Sequence, residues 1–310
     1  MSCQQKGINQ KAHVKLTRHL RSPLPIPTSM RIGILSKVFA RPTLEEVFDA
    51  VAANGLECVQ FNLESAGLIP MPEAVPADLA DRIREAAASR GIAIASVQAT
   101  FNMSHPDTEF RRDGLRRLRE IASVCELLDS KVIAICIGTR NLQNMWGHHP
   151  ENGTLQAWHD MTTCVREAVE IAQQAGVTLA LEPEVTNVVD SAEKARRLLD
   201  EIGSPHLKIT MDGANLFHAG ELPRMAEVLG HAFDLVGRDI ILAHAKDLSA
   251  DGEAGHEAAG HGLLDYDRYL SLLHSHGFCG PLLLHGLSEA QVPGCVAFLR
   301  EKLASLPNVH

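Results

Sequence analysis

Four residues have the type and placement that metal-assisted proton chemistry requires. Glu182, Asp212, His244 and His285 each follow a mostly apolar, β-prone run: Val177–Leu181, Leu207–Met211, Asp239–Ala243 and Pro281–Leu284. A carboxylate ending a buried strand is costly unless it is paired or bound to a cation. Two carboxylates and two imidazoles suit one divalent ion. Moving a proton between the carbons of an α-hydroxy carbonyl needs a base to take it and an acid to return it. It also needs a cation to hold the two oxygens. Glu182 and His285 are the candidate catalytic pair. Each residue alone reads equally well as an isolated polar strand end, but four ends of ligand type in succession do not.

Strand-like and helix-like segments alternate from Arg31 onward and bring these residues together. Further strands are expected at Ile32–Leu35, Cys58–Leu63, Ile92–Val97 and Val132–Ile137. Short apolar runs bounded by turn signals read as strands buried on both faces. Helices are expected after a Thr43 cap, at about 77–90 and 108–128, and up to a glycine stop at Gly176. Others follow at about 192–202, 265–276 and 292–303. Eight strand-then-helix units without a break in composition predict an α/β fold, a single (β/α)8 TIM barrel over residues 30–310. An open doubly wound sheet would want a glycine fingerprint after the first strand, and Ile32–Arg41 has none. In a barrel the C-terminal strand ends converge on one mouth, so the four residues become neighbours.

The 310 residues are 45% hydrophobic, enough for a large core, and the net charge is −9. That acidity gives no electrostatic argument for nucleic acid or an anionic membrane. No stretch approaches the roughly 20 apolar residues that a membrane helix needs. The seven cysteines are odd in number, widely spaced and without a C-x-x-C pair. They read as reduced core thiols of a cytoplasmic protein. Residues 1–29 are basic and lack the apolar core of a secretory signal. They read as an N-terminal extension, disordered or an overlong start, with an organelle-targeting peptide as a third option. Self-association into a homo-oligomer stays open.

At the motifs Leu-Ala-Leu-Glu182, Met-Asp212-Gly-Ala-Asn215 and His244-Ala-Lys246-Asp247, the chain resembles the xylose isomerase-like barrels. The resemblance runs over nearly the whole chain from about Met30. It implies a sugar or sugar-phosphate isomerase or epimerase, or a relative such as an inosose dehydratase. By the same resemblance, Glu182 is a metal ligand that also transfers a proton, and Asp212 and His244 are metal ligands. The fourth ligand and second acid/base is ordinarily a Glu at the end of the last strand, where this chain has His285. An imidazole there can ligate and accept a proton. It also makes the ligand shell less negative, favouring zinc over magnesium or manganese. Glu289, four residues on, is the one nearby carboxylate that could substitute. The expected cofactor is one divalent cation: Zn, Mn, Mg or Co.

Other polar groups fall in loops at the same mouth. Asn102 and His105 follow strand three, and Arg140, Trp146, His148 and His149 lie in the long loop after strand four. Glu184 and Asn187 follow Glu182, while Asn215 and Lys246 belong to the quoted motifs. Asn102, His105, Arg140, Trp146, His149, Glu184, Asn215 and Lys246 are the expected contacts to a small carbohydrate or polyol. Lys246 and Asp247 read equally well as binders of an anionic group or as a pair with each other. His256 and His261 suggest a second metal, as in the AP endonuclease relatives, but that lineage has more histidines on earlier strands. The leading reading is a metal-dependent isomerase or epimerase acting through an enediolate. The alternatives are a keto-polyol dehydratase and a degenerate barrel that binds a metabolite without turnover.

Overall fold

A computed structural model describes residues 30–307. The N-terminal extension expected over residues 1–29 lies outside the described residues. Eight parallel strands form the barrel: β1 (Arg31–Leu35), β2 (Cys58–Phe61), β3 (Ala93–Gln98), β4 (Val132–Cys136), β5 (Thr178–Glu182), β6 (Leu207–Asp212), β7 (Ile240–Asp247) and, after a two-residue strand β8 (Glu257–Ala258), β9 (Pro281–Leu284). Each barrel strand pairs with the next, β9 pairs with both β1 and β7, and β6 pairs with β7, which closes the cylinder.

The helices are α1 (Leu44–Ala53), α2 (Ala77–Ala88), α3 (Thr108–Val124), α4 (Leu155–Ala175), α5 (Ala192–Ile202), α6 (Met225–Val236), α7 (Tyr266–Ser275) and α8 (Val292–Ala304). Local chemistry sets their ends. Thr43 and Glu46 form a reciprocal capping box on α1. Gly176 ends α4 in the left-handed conformation with φ 67°. The sixth unit's helix, whose bounds the sequence does not mark, starts at Met225, directly after a short 3-10 turn at Leu222–Arg224 that contains Pro223.

Two apolar layers result. Leu35, Cys58, Ala134, Ala180, Leu242 and Leu283 pack together as one small cluster of strand residues. A far larger cluster joins strands to helices, with Phe48, Phe61, Phe217 and Phe233 fully buried within it. Six cysteines among the described residues are free, and all but Cys279 are buried. Burial pushes the Cys58, Cys125 and Cys164 thiols up to about 12, as expected of inert core thiols.

Candidate metal centre and active-site cavity

The register of the strands brings the four sequence-predicted ligands level. Asp212 on β6 pairs directly with His244 on β7, and His244 pairs with Leu283 on β9, two residues before His285. Glu182 ends β5. Tyr269 of α7 ties the wall from behind: its hydroxyl is shared between the Met211 and His244 carbonyls, at 2.9 and 3.0 Å. β7 is longer than the sequence suggests, so His244 lies inside the strand rather than after it. The added length comes from antiparallel pairing of Lys246 and Asp247 with Ala258 and Glu257.

One ligand-type atom from each of Glu182, Asp212, His244 and His285 lies within 4.8 Å of all the others. Metal–nitrogen and metal–oxygen bonds of about 2.0–2.2 Å put atoms on opposite sides of one ion at roughly twice that separation. His244 Nδ1 sits 3.3 Å from Glu182 Oε1 and 3.7 Å from Asp212 Oδ2. The two imidazoles meet edge to face, 5.1 Å between centroids. Asp212 Oδ2, His244 Nδ1 and His285 Nδ1 are buried without a hydrogen-bond partner. Buried polar atoms are ordinarily satisfied. Three converging orphans of this chemistry are what a cation would satisfy, so the residues fit a divalent ion.

Neighbouring groups hold these side chains in place. Asp212 Oδ1 accepts from the Ala214 amide at 2.9 Å, and Glu182 Oε1 accepts from Asn215 Nδ2 at 2.7 Å. The Cys136 thiol is 3.8 Å from Glu182 Oε2. His244 Nε2 lies 3.3 Å from Gln60 Oε1, which the Ser96 hydroxyl also approaches at 3.4 Å. A histidine held through one ring nitrogen presents the other, which is how outer partners orient metal ligands. Lys246 Nζ donates to Asn215 Oδ1 at 2.8 Å and stands 3.1 Å from Asp212 Oδ2. Lys246 and Asp247 do not pair with each other: Asp247 accepts from the Leu248, Gly260 and Leu264 amides and braces its own loop.

Electrostatics follow from this crowding. Burial disfavours a charged Asp212, yet Lys246 and the two imidazoles hold its carboxyl far below the usual range. Burial likewise lowers His244, but the Glu182 and Asp212 carboxylates override it and raise the imidazole to about 9. Burial, with the Lys246 and His244 charges beside it, drives His285 well below the ordinary histidine value. The two histidines are therefore shifted in opposite directions, His244 up by its carboxylates and His285 down by burial and its cationic neighbours. Burial and the neighbouring Glu182 lift Glu184 to about 7.

Above this set opens a cavity of about 690 Å³. Trp146, Glu184 and Lys246 line it, together with Glu182, His244 and His285. Asn215 is fully buried, bridging Glu182 to Lys246. Asn102, His105, Arg140 and His149 are engaged elsewhere. Asn102 binds the Thr139 carbonyl and the Thr139 and Ser104 amides. Gly138, at φ 78°, passes so close to Asn102 that a Cβ there would collide with it. Arg140 reaches Asp160 at 2.8 Å and the Ser104 carbonyl at 3.0 Å. His105 stacks on Phe110, and His149 caps the turn at Pro150–Gly153. Its neighbour His148 faces the cavity instead. Glu289 pairs with Arg41 and does not supply a carboxylate to the ligand set. Gln60 and Gln98 also line the cavity. Their sequence signal is a polar residue in a short, otherwise β-prone run, as in Cys-Val-Gln60-Phe.

Among the described residues, no helix is long and apolar enough to cross a membrane. The chain is similar to L-ribulose-5-phosphate 3-epimerase UlaE of Escherichia coli, 25% identical over 194 residues, which is 63% of each chain. It thus spans somewhat less than two-thirds of that relative's length. Among solved structures, a D-tagatose 3-epimerase-like protein superposes with a TM-score of 0.70 at 18% identity, covering 89% of this chain and 97% of the other. The probable 3-DHS dehydratase AsbF from Bacillus anthracis superposes with a TM-score of 0.68 at 14% identity, covering 87% of this chain and 99% of the other. At such identities the superpositions speak for the fold alone. The family model described as xylose isomerase-like TIM barrel matches residues 48–301. With the closed barrel and the cluster at its mouth, this match places the chain in the xylose isomerase-like TIM barrel family.

Proposed function

We propose that the chain is a divalent-metal-dependent isomerase or epimerase of a sugar, sugar phosphate or related polyol. One observation carries the reading: Glu182, Asp212, His244 and His285 converge within 4.8 Å at the barrel mouth, with three buried polar atoms left without partners. The epimerase relative supports the same class of reaction.

Glu182, Asp212, His244 and His285 would hold the ion. When bound, the cation supplies positive charge beside the hydroxyl and carbonyl oxygens of the substrate, where an enediolate gathers negative charge. Glu182 and His285 carry the proton. Asn215 fixes Glu182 through Oε1, leaving Oε2 with only the weakly donating Cys136 thiol. That oxygen is the free basic position. His285 has two ring nitrogens, so it can ligate through one and exchange a proton through the other. A proton taken from carbon beside the carbonyl and returned to its neighbour gives an isomer; returned to the opposite face of the same carbon, it gives an epimer. Lys246 and Glu184, both in the cavity wall, bind and orient substrate oxygens.

The test is incubation with L-ribulose, D-tagatose and D-psicose in D2O, with metal analysis of the same protein. The expected result is stoichiometric divalent metal and a product of unchanged skeleton carrying solvent deuterium. Protein without metal and without exchange would overturn the reading. The unlike pair, one carboxylate and one imidazole, favours a second reading as a keto-polyol dehydratase. There one group removes the proton and the other protonates the departing hydroxyl. Its product is one water lighter, so mass alone separates the two.

A further inference from the structure

The ligand set occupies only the floor of the cavity. At about 690 Å³ the whole space lies within the roughly 300–1,000 Å³ in which proteins enclose drug-sized ligands. That is more than a single six-carbon polyol fills. The upper part lies between two loops, one after β4 carrying Trp146 and His148, the other after β7 carrying Glu253 and His256. None of these four side chains takes part in the proton transfer described above.

Trp146 is 44% exposed and lines the cavity. The loop that carries it is braced. Asn141 Oδ1 accepts from the Gln143 and Asn144 amides at 3.0 and 3.1 Å, and Asn144 Oδ1 accepts from the Trp146 amide at 3.0 Å. The facing loop is anchored as well, by Gly252 N on the Phe217 carbonyl at 2.8 Å and Gly255 N on the Ala214 carbonyl at 3.2 Å. An aromatic side chain lining the same cavity as His148, His256 and Glu253 offers a surface for the apolar face and hydroxyls of a sugar ring.

The same lining argues against a phosphate in that place. Among the described residues no arginine lines the cavity, although arginine is the side chain best matched to phosphate. Its two lysines are Lys37 and Lys246, and Lys246 is committed to Asp212 and Asn215.

We infer that the outer tier is a subsite for a second, uncharged sugar ring, so that the substrate is a glycosyl ketose. The inference rests on the carbohydrate reading above. The ring to be rearranged lies over Glu182 and His285, and the second ring lies against Trp146.

Isothermal titration calorimetry of the metal-loaded protein with D-fructose, maltulose and turanose tests this. At least one glycosyl ketose is expected to bind about tenfold tighter than D-fructose, the gain of one good aromatic platform. Trp146→Ala should remove most of that ratio and Trp146→Phe should keep it. Trp146 fluorescence gives a second readout, because the other tryptophan, Trp158, is buried, bonded to Glu201 and stacked under Arg197. Equal or weaker binding of both glycosyl ketoses, a preference that survives Trp146→Ala, or no binding by any of the three sugars overturns the subsite. The two proposals fail separately. Ketose exchange in D2O without a glycosyl preference leaves the reaction standing and removes the subsite. A glycosyl preference without exchange does the reverse.

Discussion

β6 and β7 carry ionisable groups at both ends, and the two ends are treated oppositely. At their N-terminal ends, Lys208 and Arg196 satisfy Asp239 from both sides, at 2.5 Å on Oδ1 and 2.8 Å on Oδ2. That cluster is partly open to solvent, its side chains 21–31% exposed. At their C-terminal ends, Asp212 and His244 are almost fully buried, and each keeps one polar atom without a hydrogen bond, held only by ion-pair contacts to Lys246 and Glu182. Ionisable groups thus form a closed circuit at one rim and a more open one at the other. A closed circuit contributes stability; an open one retains binding capacity for something not of the chain. Barrels of this architecture commonly divide their rims this way.

The largest effect that would break this contrast is at Glu182. Glu182→Gln keeps the shape and the Asn215 contact region but removes the charge and the proton acceptor. Turnover should fall by about a thousandfold, within the usual worth of a positioned acid or base. Bound metal should fall too, while the thermal midpoint drops only modestly, because His244 can shed the proton that Glu182 favours on it. A loss of folding comparable to the loss of turnover would place Glu182 with the structural rim instead.

His285→Glu comes next. A second carboxylate should shift metal preference from zinc toward manganese and magnesium by roughly tenfold, measured by competition between the ions. Activity appearing only in the variant would mean that wild type binds its ligand without turnover. Gln60→Leu is smaller and more diagnostic. It leaves all four ligands in place and removes only the partner of His244 Nε2. Metal affinity should weaken by about tenfold or somewhat more, the usual range for an outer partner. Unchanged affinity would mean that packing alone orients His244.

The strands and the four mouth residues were legible because one rule governs both. A buried parallel strand reads as an apolar run, so the first polar residue after it marks the rim. His244 stood out by this rule even though β7 continues past it, since the added length depends on pairing with Glu257 and Ala258, thirteen residues or so downstream. Loop side chains obey no such period. Arg140 and Trp146 sit in one polar loop with equal claims on a sugar. Only the fold sends one to half-buried Asp160 and the other to the cavity wall. Likewise His148 and His149 are indistinguishable in sequence, and the turn that His149 caps decides which of them lines the cavity. Gln60 carries a usable signal, a polar residue inside a β-prone run, but its partner lies 184 positions away.

The opposite rim supplies the smallest prediction and the cleanest control. Burial alone would raise the Asp239 carboxyl, but hydrogen bonds from Lys208 and Arg196 reverse this and hold it below its ordinary value. A carboxyl depressed in the folded state stabilises the fold above its unfolded value of about 3.9, and that contribution disappears as pH falls through the lower folded value. Asp239→Asn should therefore cost about 1 kcal/mol at neutral pH, the upper end for partly exposed pairs screened by solvent. That corresponds to about 2 °C in the thermal midpoint. The difference between variant and wild type should shrink as pH drops below about 4, because wild type then loses the same pairs. Turnover and metal content should not change at any pH where both proteins are folded. A change in either would mean that the two rims communicate through β6 and β7, and the division between a structural end and a binding end would no longer hold.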